Sequence, residues 1–240
     1  MGHPERIVPL ETEPGIVAIH LSRYRFAAPF CAGKSVLDIA CGVGYGAAEL
    51  ALTADHVLGV DRSAAAIDYA KRQYGAANVE FQEGDMHSLD VPAASFDVVC
   101  SFETIEHVDH APRALEELAR VLRDDGTLVV STPNAPVTTD APANPYHRTE
   151  WTAHDFEQLL SRSFGHVELY GQQRVQSSAH RLAQRLDVLG LRRRLGFLRR
   201  ASPLLGTRPM EDMTEDDIAI MLGRLDGASE IVAVCTAPRR

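Results

Sequence analysis

From Ser35 onward the chain alternates short apolar runs with stretches whose apolar positions recur every three or four residues, a pattern that predicts strands separated by helices. The apolar runs predict strands over Ser35 to Ile39, His56 to Val60, Val79 to Glu83, Phe96 to Ser101, Gly126 to Ser131, Val167 to Gly171 and Ile231 to Thr236. Helices are predicted over Ala47 to Leu52, over Ala64 to Tyr74 behind an Asp61-Arg-Ser63 cap, and over Arg113 to Leu122, which Asp124-Asp-Gly126 ends. Strands that are apolar at consecutive positions belong in a parallel sheet covered on both faces. The expected fold is therefore α/β, a doubly wound, mostly parallel, seven-stranded sheet. Its ligands belong beyond the carboxyl ends of the strands.

Two segments fall outside the alternation. Residues 1–33 begin with the extended, proline-punctuated "ERIVPLETEPG" and continue into a predicted helix carrying His20, Tyr24 and Arg25, which we read as an N-terminal lid. Residues 34–171 form the ligand-binding core, 172–230 a helical insertion, and 231–240 the last core strand and tail. The insertion is arginine-rich in its first half and acidic in its second. It reads as a solvated helical excursion packed on the sheet or on a second subunit, with a patch for an acidic substrate or a membrane surface as the alternative. Leucine-rich faces at Leu182 to Leu198 and Ile218 to Leu225 could bury against a second copy, so a homodimer is entertained.

Composition narrows the partners. At 240 residues, 45% hydrophobic and 24% charged, the chain suits one elaborated domain. A net charge of −9 disfavours duplex nucleic acid, whose binding rests on neutralised phosphates, and favours a small-molecule acceptor. No apolar run reaches the roughly 18 residues of a membrane span and no signal-peptide pattern opens the chain, so a cytoplasmic location is expected. Four cysteines without a C-x-x-C read as reduced, buried thiols.

The most informative stretch is Val36-Leu-Asp-Ile-Ala-Cys-Gly-Val-Gly-Tyr-Gly46, where a strand runs into a glycine-rich turn and then a helix. Such a turn brings bare backbone and a helix start against a nucleotide-like ligand. Asp61, at the end of the second strand, stands where an acidic residue would take ribose hydroxyls. Asp85 and Met86, after the third strand, are placed to hold an adenine. The ordered set D-x-A-C-G-x-G-x-G, Asp61, Gly84-Asp-Met86, "SFDVVCSFETIEHV" and "VLRDDGTLVVSTPN" resembles the motifs of class I S-adenosylmethionine-dependent methyltransferases over roughly residues 34 to 171. The resemblance implies that backbone at Ala40, Gly42 and Gly44 faces the methionine moiety and that Asp38 organises the loop. It further implies that Asp61 takes the ribose, Asp85 and Met86 the adenine, and that Phe102 lies near the methionine end. Ala40 departs from the glycine common in the family.

After the fourth strand comes Glu103-Thr-Ile-Glu106-His107, which a helical turn would align on one face. Two carboxylates and an imidazole suit a divalent cation, Mg2+ or Mn2+ being expected, with the imidazole favouring iron or cobalt equally with Mn2+. The segment is similar to the E-x-x-E-H motif of metal-dependent methyltransferases acting on paired hydroxyls, including plant small-RNA 2′-O-methyltransferases and ubiquinone-pathway O-methyltransferases. In the RNA enzymes a further histidine completes the site, and "NPYHRTEW" provides His147 here. The ligand set is Glu103, Glu106 and His107, with His147 as fourth ligand or general base; one histidine cannot do both at once. His110 is expected on the solvated side of the turn and His154 at a helix start. The segments "ERIVPLE", "STPN" with "NPYHRTEW", and "LYGQ" also resemble bacterial methyltransferases of cell-surface or storage glycans. That resemblance implies a sugar or oligosaccharide acceptor, mannosides of polymethylated polysaccharides being one case. The alternatives are a metal-independent methyltransferase of a small metabolite, catechol or quinone precursor, and a non-catalytic S-adenosylmethionine-binding protein. A nicotinamide dehydrogenase lacks an evident catalytic pair here.

Overall fold

The computed structural model describes residues 6–175 and 210–239; the arginine-rich half of the insertion and the Leu182 to Leu198 face lie outside them. Its strands are β1 (Ser35–Ile39), β2 (His56–Asp61), β3 (Val79–Glu83), β4 (Phe96–Phe102), β5 (Leu122–Pro133), β6 (Phe164–Arg174), β7 (Ile218–Leu222) and β8 (Glu230–Pro238). The helices are α1 (Pro14–Cys31), α2 (Tyr45–Leu50), α3 (Ala64–Tyr74), α4 (Ala111–Val121) and α5 (Ala153–Leu160). They build one sheet of order β3-β2-β1-β4-β5-β8-β6-β7. The pairs from β3 to β5 are parallel, whereas β8 runs antiparallel to both β5 and β6, and β7 antiparallel to β6. The fold is thus the expected Rossmann-like one, with eight strands among the described residues where seven were expected.

The extra strand corrects the reading of the insertion. Ile218–Leu222, expected in a helical stretch, extends beside β6, pairing Gly171 with Met221 and Gln172 with Ile220. Its apolar run is as compatible with an edge strand as with a helix face, and the free edge of β6 decides. A second correction concerns Asp124-Asp-Gly126. Helix α4 ends at Val121, and the strand register jumps from Phe96 opposite Leu122 to Val98 opposite Thr127, so the acidic pair sits in a strand irregularity.

Side-chain parity explains why the strands are continuously apolar. Leu37 and Ile39 enter a layer with Leu115 and Leu118 of α4 and Phe156 and Leu160 of α5. Val36 enters the opposite layer with Ala27 and Cys31 of α1, Ala47 and Leu50 of α2 and Ile67 of α3. Both faces are covered, so both are mostly apolar. Helix α3 begins where expected because the Ser63 side chain accepts from the Ala66 N–H, a cap contributing about 1 kcal/mol. All four cysteines are free and buried. Among the described residues no helix is long and apolar enough to cross a membrane. From β1 the chain moves to one side, to β2 and β3, then returns to the other side of β1 as β4. That reversal opens a crevice at the carboxyl edge.

Candidate active site at the carboxyl edge of the sheet

A cleft of about 770 Å³ lies there, lined from the ends of β1, β2, β3 and β4, from α1 and from the loop after β5. Its first wall is the glycine loop. Ala40, Gly42 and Gly44 all take positive φ, +59°, +57° and +89°. Only two of them face the cleft. Ala40 and Gly42 line it, and a side chain at Gly42 would meet nothing within 4 Å. Gly44 faces the core instead: a Cβ there would lie 2.7 Å from Ala70 Cβ and 2.8 Å from the Phe81 ring. Its glycine is required by packing and by the left-handed turn into α2.

The loop's donors are largely committed. Cys41 N–H donates to the Val60 carbonyl, Gly42 N–H to Asp61 Oδ2 at 2.9 Å, and Gly44 N–H to the Cys41 carbonyl. A pyrophosphate needs such donors free, so this geometry is a poor dinucleotide cradle. Beneath the loop Asp38 is fully buried, with the Tyr24 hydroxyl 3.4 and 3.5 Å from its two oxygens. Burial pushes its carboxyl up to about 8, against the lowering effect of the Tyr24 hydrogen bond.

Asp61 ends β2 on the cleft wall. Its Oδ2 holds Gly42, its Oδ1 accepts the Ser63 N–H at 2.8 Å, and Arg6 approaches Oδ1 at 3.4 Å while donating to Ser63 Oγ at 3.1 Å. Arg6 was not foreseen from the sequence, since nothing local distinguishes it. The next strand end supplies Asp85, exposed, and Met86, buried, both on the cleft wall. Asp85 Oδ1 accepts from the backbone N–H of His87 at 2.8 Å and lies 2.8 Å from its Nδ1. Those contacts, the backbone one foremost, hold its carboxyl below the usual range. Phe102 meets Tyr24 edge to face, ring centres 4.9 Å apart, at the floor of the cleft.

The acidic segment after β4 departs from a simple helical turn. Glu103 takes φ +49° and stands outside the short 3-10 turn Ile105–His107. Ser131 clamps it: the hydroxyl accepts from Glu103 N–H at 3.1 Å and donates to its Oε1 at 2.7 Å. Glu103 therefore does not share one face with the other two. Glu106, His107 and His147 do converge, each offering a ligand atom within 4.8 Å of the others. Neighbouring donors around one cation at about 2.1 Å stand roughly 3 Å apart, so the set is near coordination distance without being at it. The donor set, one carboxylate and two imidazoles, suits a divalent transition metal such as Mn2+ more than Mg2+, which takes oxygen donors.

Each member is held. Glu106 is 1% exposed, and Thr132 Oγ1 donates to its Oε2 at 3.1 Å. Burial, then the neighbouring Glu103 charge, pushes its carboxyl well above the usual range. The Glu106 carbonyl accepts from Arg148 N–H at 2.6 Å and Thr149 N–H at 3.3 Å, which ties the His147 loop to the β4 turn. His107 Nδ1 lies 3.0 Å from the Tyr146 carbonyl, and the two histidine rings meet edge to face at 4.8 Å. His110 is exposed, as expected, yet lines the cleft mouth; His154 stands in the first turn of α5. Behind the wall, α1 places His20 on the cleft and buries Arg23, whose Nη1 donates to Gln172 Oε1 at 2.7 Å. Burial, with Arg23 beside it, lowers the His20 imidazole well below its usual value.

Residues 37–130 match the family model described as a methyltransferase domain. A probable S-adenosylmethionine-dependent methyltransferase of Mycobacterium tuberculosis (strain H37Rv) is 38% identical over 160 residues, which are 65% of this chain and 58% of the relative. The chain thus spans less than two thirds of that relative's length. A second probable S-adenosylmethionine-dependent methyltransferase, from Mycolicibacterium smegmatis, is 34% identical over 184 residues, covering 70% of this chain and 71% of the relative. Among solved structures, an S-adenosylmethionine-dependent methyltransferase and possible histamine N-methyltransferase from Thermotoga maritima superposes with a TM-score of 0.64 at 16% identity, covering 93% and 91% of the two chains, which speaks to fold alone. The coverage of the Mycolicibacterium relative and the matched domain agree with the loop, the acidic strand ends and the sheet order: this chain belongs to the S-adenosylmethionine-dependent methyltransferases.

Proposed function

We propose that the chain transfers a methyl group from S-adenosylmethionine to a hydroxyl oxygen, assisted by a divalent cation, with a sugar or oligosaccharide as acceptor. The observation that carries this reading is the convergence of Glu106, His107 and His147 on the cleft beside Phe102. When bound, Mg2+ or Mn2+ supplies a lowered hydroxyl pKa and a fixed angle of approach. The protein's own part is orientation. Displacement at a sulfonium carbon is in-line, so most of the rate comes from holding the two reactants at about 3 Å with the right angle. In this reading Asp61 holds the ribose, Asp85 and Met86 the adenine, and Asp38 with the loop at Ala40 and Gly42 the methionine end. Gly44 keeps the loop's shape. Glu106 and His107 would hold the cation, His147 would add a ring nitrogen as ligand or act as base, and Glu103 would join only on leaving Ser131.

The polar mouth of the cleft, with Asp109, His110, Arg113 and Asn144 on it, supports an acceptor rich in hydroxyls. The test is methyl transfer from labelled S-adenosylmethionine to a panel of mannosides, other glycosides, catechols and primary amines. Turnover confined to the glycosides supports the reading, and turnover of amines alone overturns it.

Two observations favour a metal-free methyltransferase of a small metabolite as the second reading. Ser131 satisfies Glu103, and the Asn144 amide lies 2.9 Å from His147 Nε2, so both groups find partners within the protein.

A further inference from the structure

His147 is gripped from both sides of its ring. Its Nδ1 lies 2.6 Å from Glu150 Oε1, and its Nε2 lies 2.9 Å from the Asn144 side-chain amide. A carboxylate can only accept, so the Nδ1 position carries the proton. The Nε2 lone pair is then the one left for chemistry, with the Asn144 N–H directed at it.

Glu150 is itself anchored. Its N–H donates to the Thr139 carbonyl at 3.0 Å, and its carbonyl accepts from Thr139 N–H at 2.9 Å. The adjoining Trp151 is buried against Phe156, with its carbonyl accepting from Ala135 N–H at 3.1 Å. The carboxylate that orients His147 therefore hangs from a rigid return of the chain onto the end of β5. The next two residues after His147 are tied to the Glu106 carbonyl. His147 and Glu106 thus keep a fixed mutual position.

We propose that Glu150 is a positioning residue: it fixes the tautomer and plane of His147 so that Nε2 presents its lone pair to the group formed by Glu106 and His107, with Asn144 covering that lone pair until a cation or an acceptor hydroxyl replaces it. The inference rests on the hydroxyl-directed, cation-assisted reading above. A carboxylate behind a histidine fixes which nitrogen coordinates, and losing it costs about 10- to 100-fold in metal affinity.

The test combines two measurements on the full chain, wild type and Glu150→Gln, with Glu150→Asp as rescue. The first is the His147 tautomer, read from two-bond proton–nitrogen correlations of the neutral ring. The second is Mn2+ affinity by calorimetry, with S-adenosylhomocysteine affinity and thermal melting as controls for the fold. We expect an Nδ1–H tautomer in the wild type and its loss in Glu150→Gln. Mn2+ affinity should fall about 10- to 100-fold, partly restored in Glu150→Asp, while the controls hold. A wild-type Nε2–H tautomer, or a Glu150→Gln chain with unchanged tautomer and unchanged Mn2+ affinity, overturns the role of Glu150. If the tautomer responds as expected but the wild type binds no Mn2+, the cation reading fails while the hold of Glu150 on His147 is supported.

Discussion

The Tyr24 hydroxyl of α1 reaches the buried carboxyl of Asp38 at the end of β1, 3.4 and 3.5 Å from its two oxygens. Asp38 is raised from its ordinary 3.8 to about 8 in the folded chain, chiefly by burial. Between those values the folded state holds a proton that the unfolded state has released, so this group's contribution to stability declines as pH rises toward about 8. Asp38→Asn should flatten that decline and stabilise the unliganded protein near pH 8 by about 1–2 kcal/mol, with cofactor affinity reduced. Thermal melts across pH, paired with S-adenosylhomocysteine titrations, check both halves. A variant that melts lower than wild type near pH 8 contradicts the first half.

Tyr24 also fixes α1 onto the first turn of α2 by close packing. A Cβ at Gly46 would lie 1.9 Å from Tyr24 Cζ, a distance no small shift relieves. Gly46→Ala should cost about 3 kcal/mol or more, which for a chain of this size lowers the melting point by roughly 6–12 °C. In a Tyr24→Ala background the same change should cost much less. Equal costs in the two backgrounds would mean that the ring is not seated on Gly46.

Ala40 carries a left-handed backbone, φ +59°, where a Cβ costs roughly 1–2 kcal/mol. Glycine removes that strain but gains freedom in the unfolded chain, by roughly 0.5–1 kcal/mol. Ala40→Gly should therefore be near neutral to stabilising, with unchanged cofactor affinity, whereas Ala40→Val should lose both stability and binding. Denaturant melts and titration of the two variants decide it, and a Val variant that binds normally would remove Ala40 from the methionine end.

Ser131 supports Glu103 twice, as acceptor for its N–H and donor to its carboxylate. Ser131→Ala should cost about 1–2 kcal/mol, because both groups lose a partner in a half-buried position. Unfolding in urea measures it, and a loss below a few tenths of a kcal/mol would mean that solvent replaces the hydroxyl freely.

Much of the fold could be read from pattern. The bounds of β1, β3 and α3 agree with expectation because the apolar residues of β1, the alternation of Val79 and Phe81 with polar residues in β3, and the Ser63 cap of α3 mark them locally. Ile218–Leu222 could not be read, because only the open edge of β6 makes it a strand. The site divides in the same way. Asp61, Asp85 and Met86 line the cleft from their places at strand ends, where Glu106, His107 and His147 also come together. The left-handed turn of Glu103 and its Ser131 clamp depend on β5 lying beside β4, a pairing no local window contains. Gly44 looked like a ligand-facing glycine, and its packing against Phe81 is visible only once β3 is in place. Glu150 had a local signal, an acid three residues after His147, whose meaning came only with the 2.6 Å contact.

The cation-assisted reading is tested most directly by labelled methyl transfer to a glycoside acceptor with Mg2+, with Mn2+, and with EDTA followed by restored metal. The account predicts turnover that EDTA abolishes and added metal restores, and that Glu106→Ala and His147→Ala lose by about 100-fold or more, the scale of a lost acid–base or coordinating group. Turnover indifferent to EDTA would contradict it and assign Glu106, His107 and His147 to positioning in a metal-free methyltransferase.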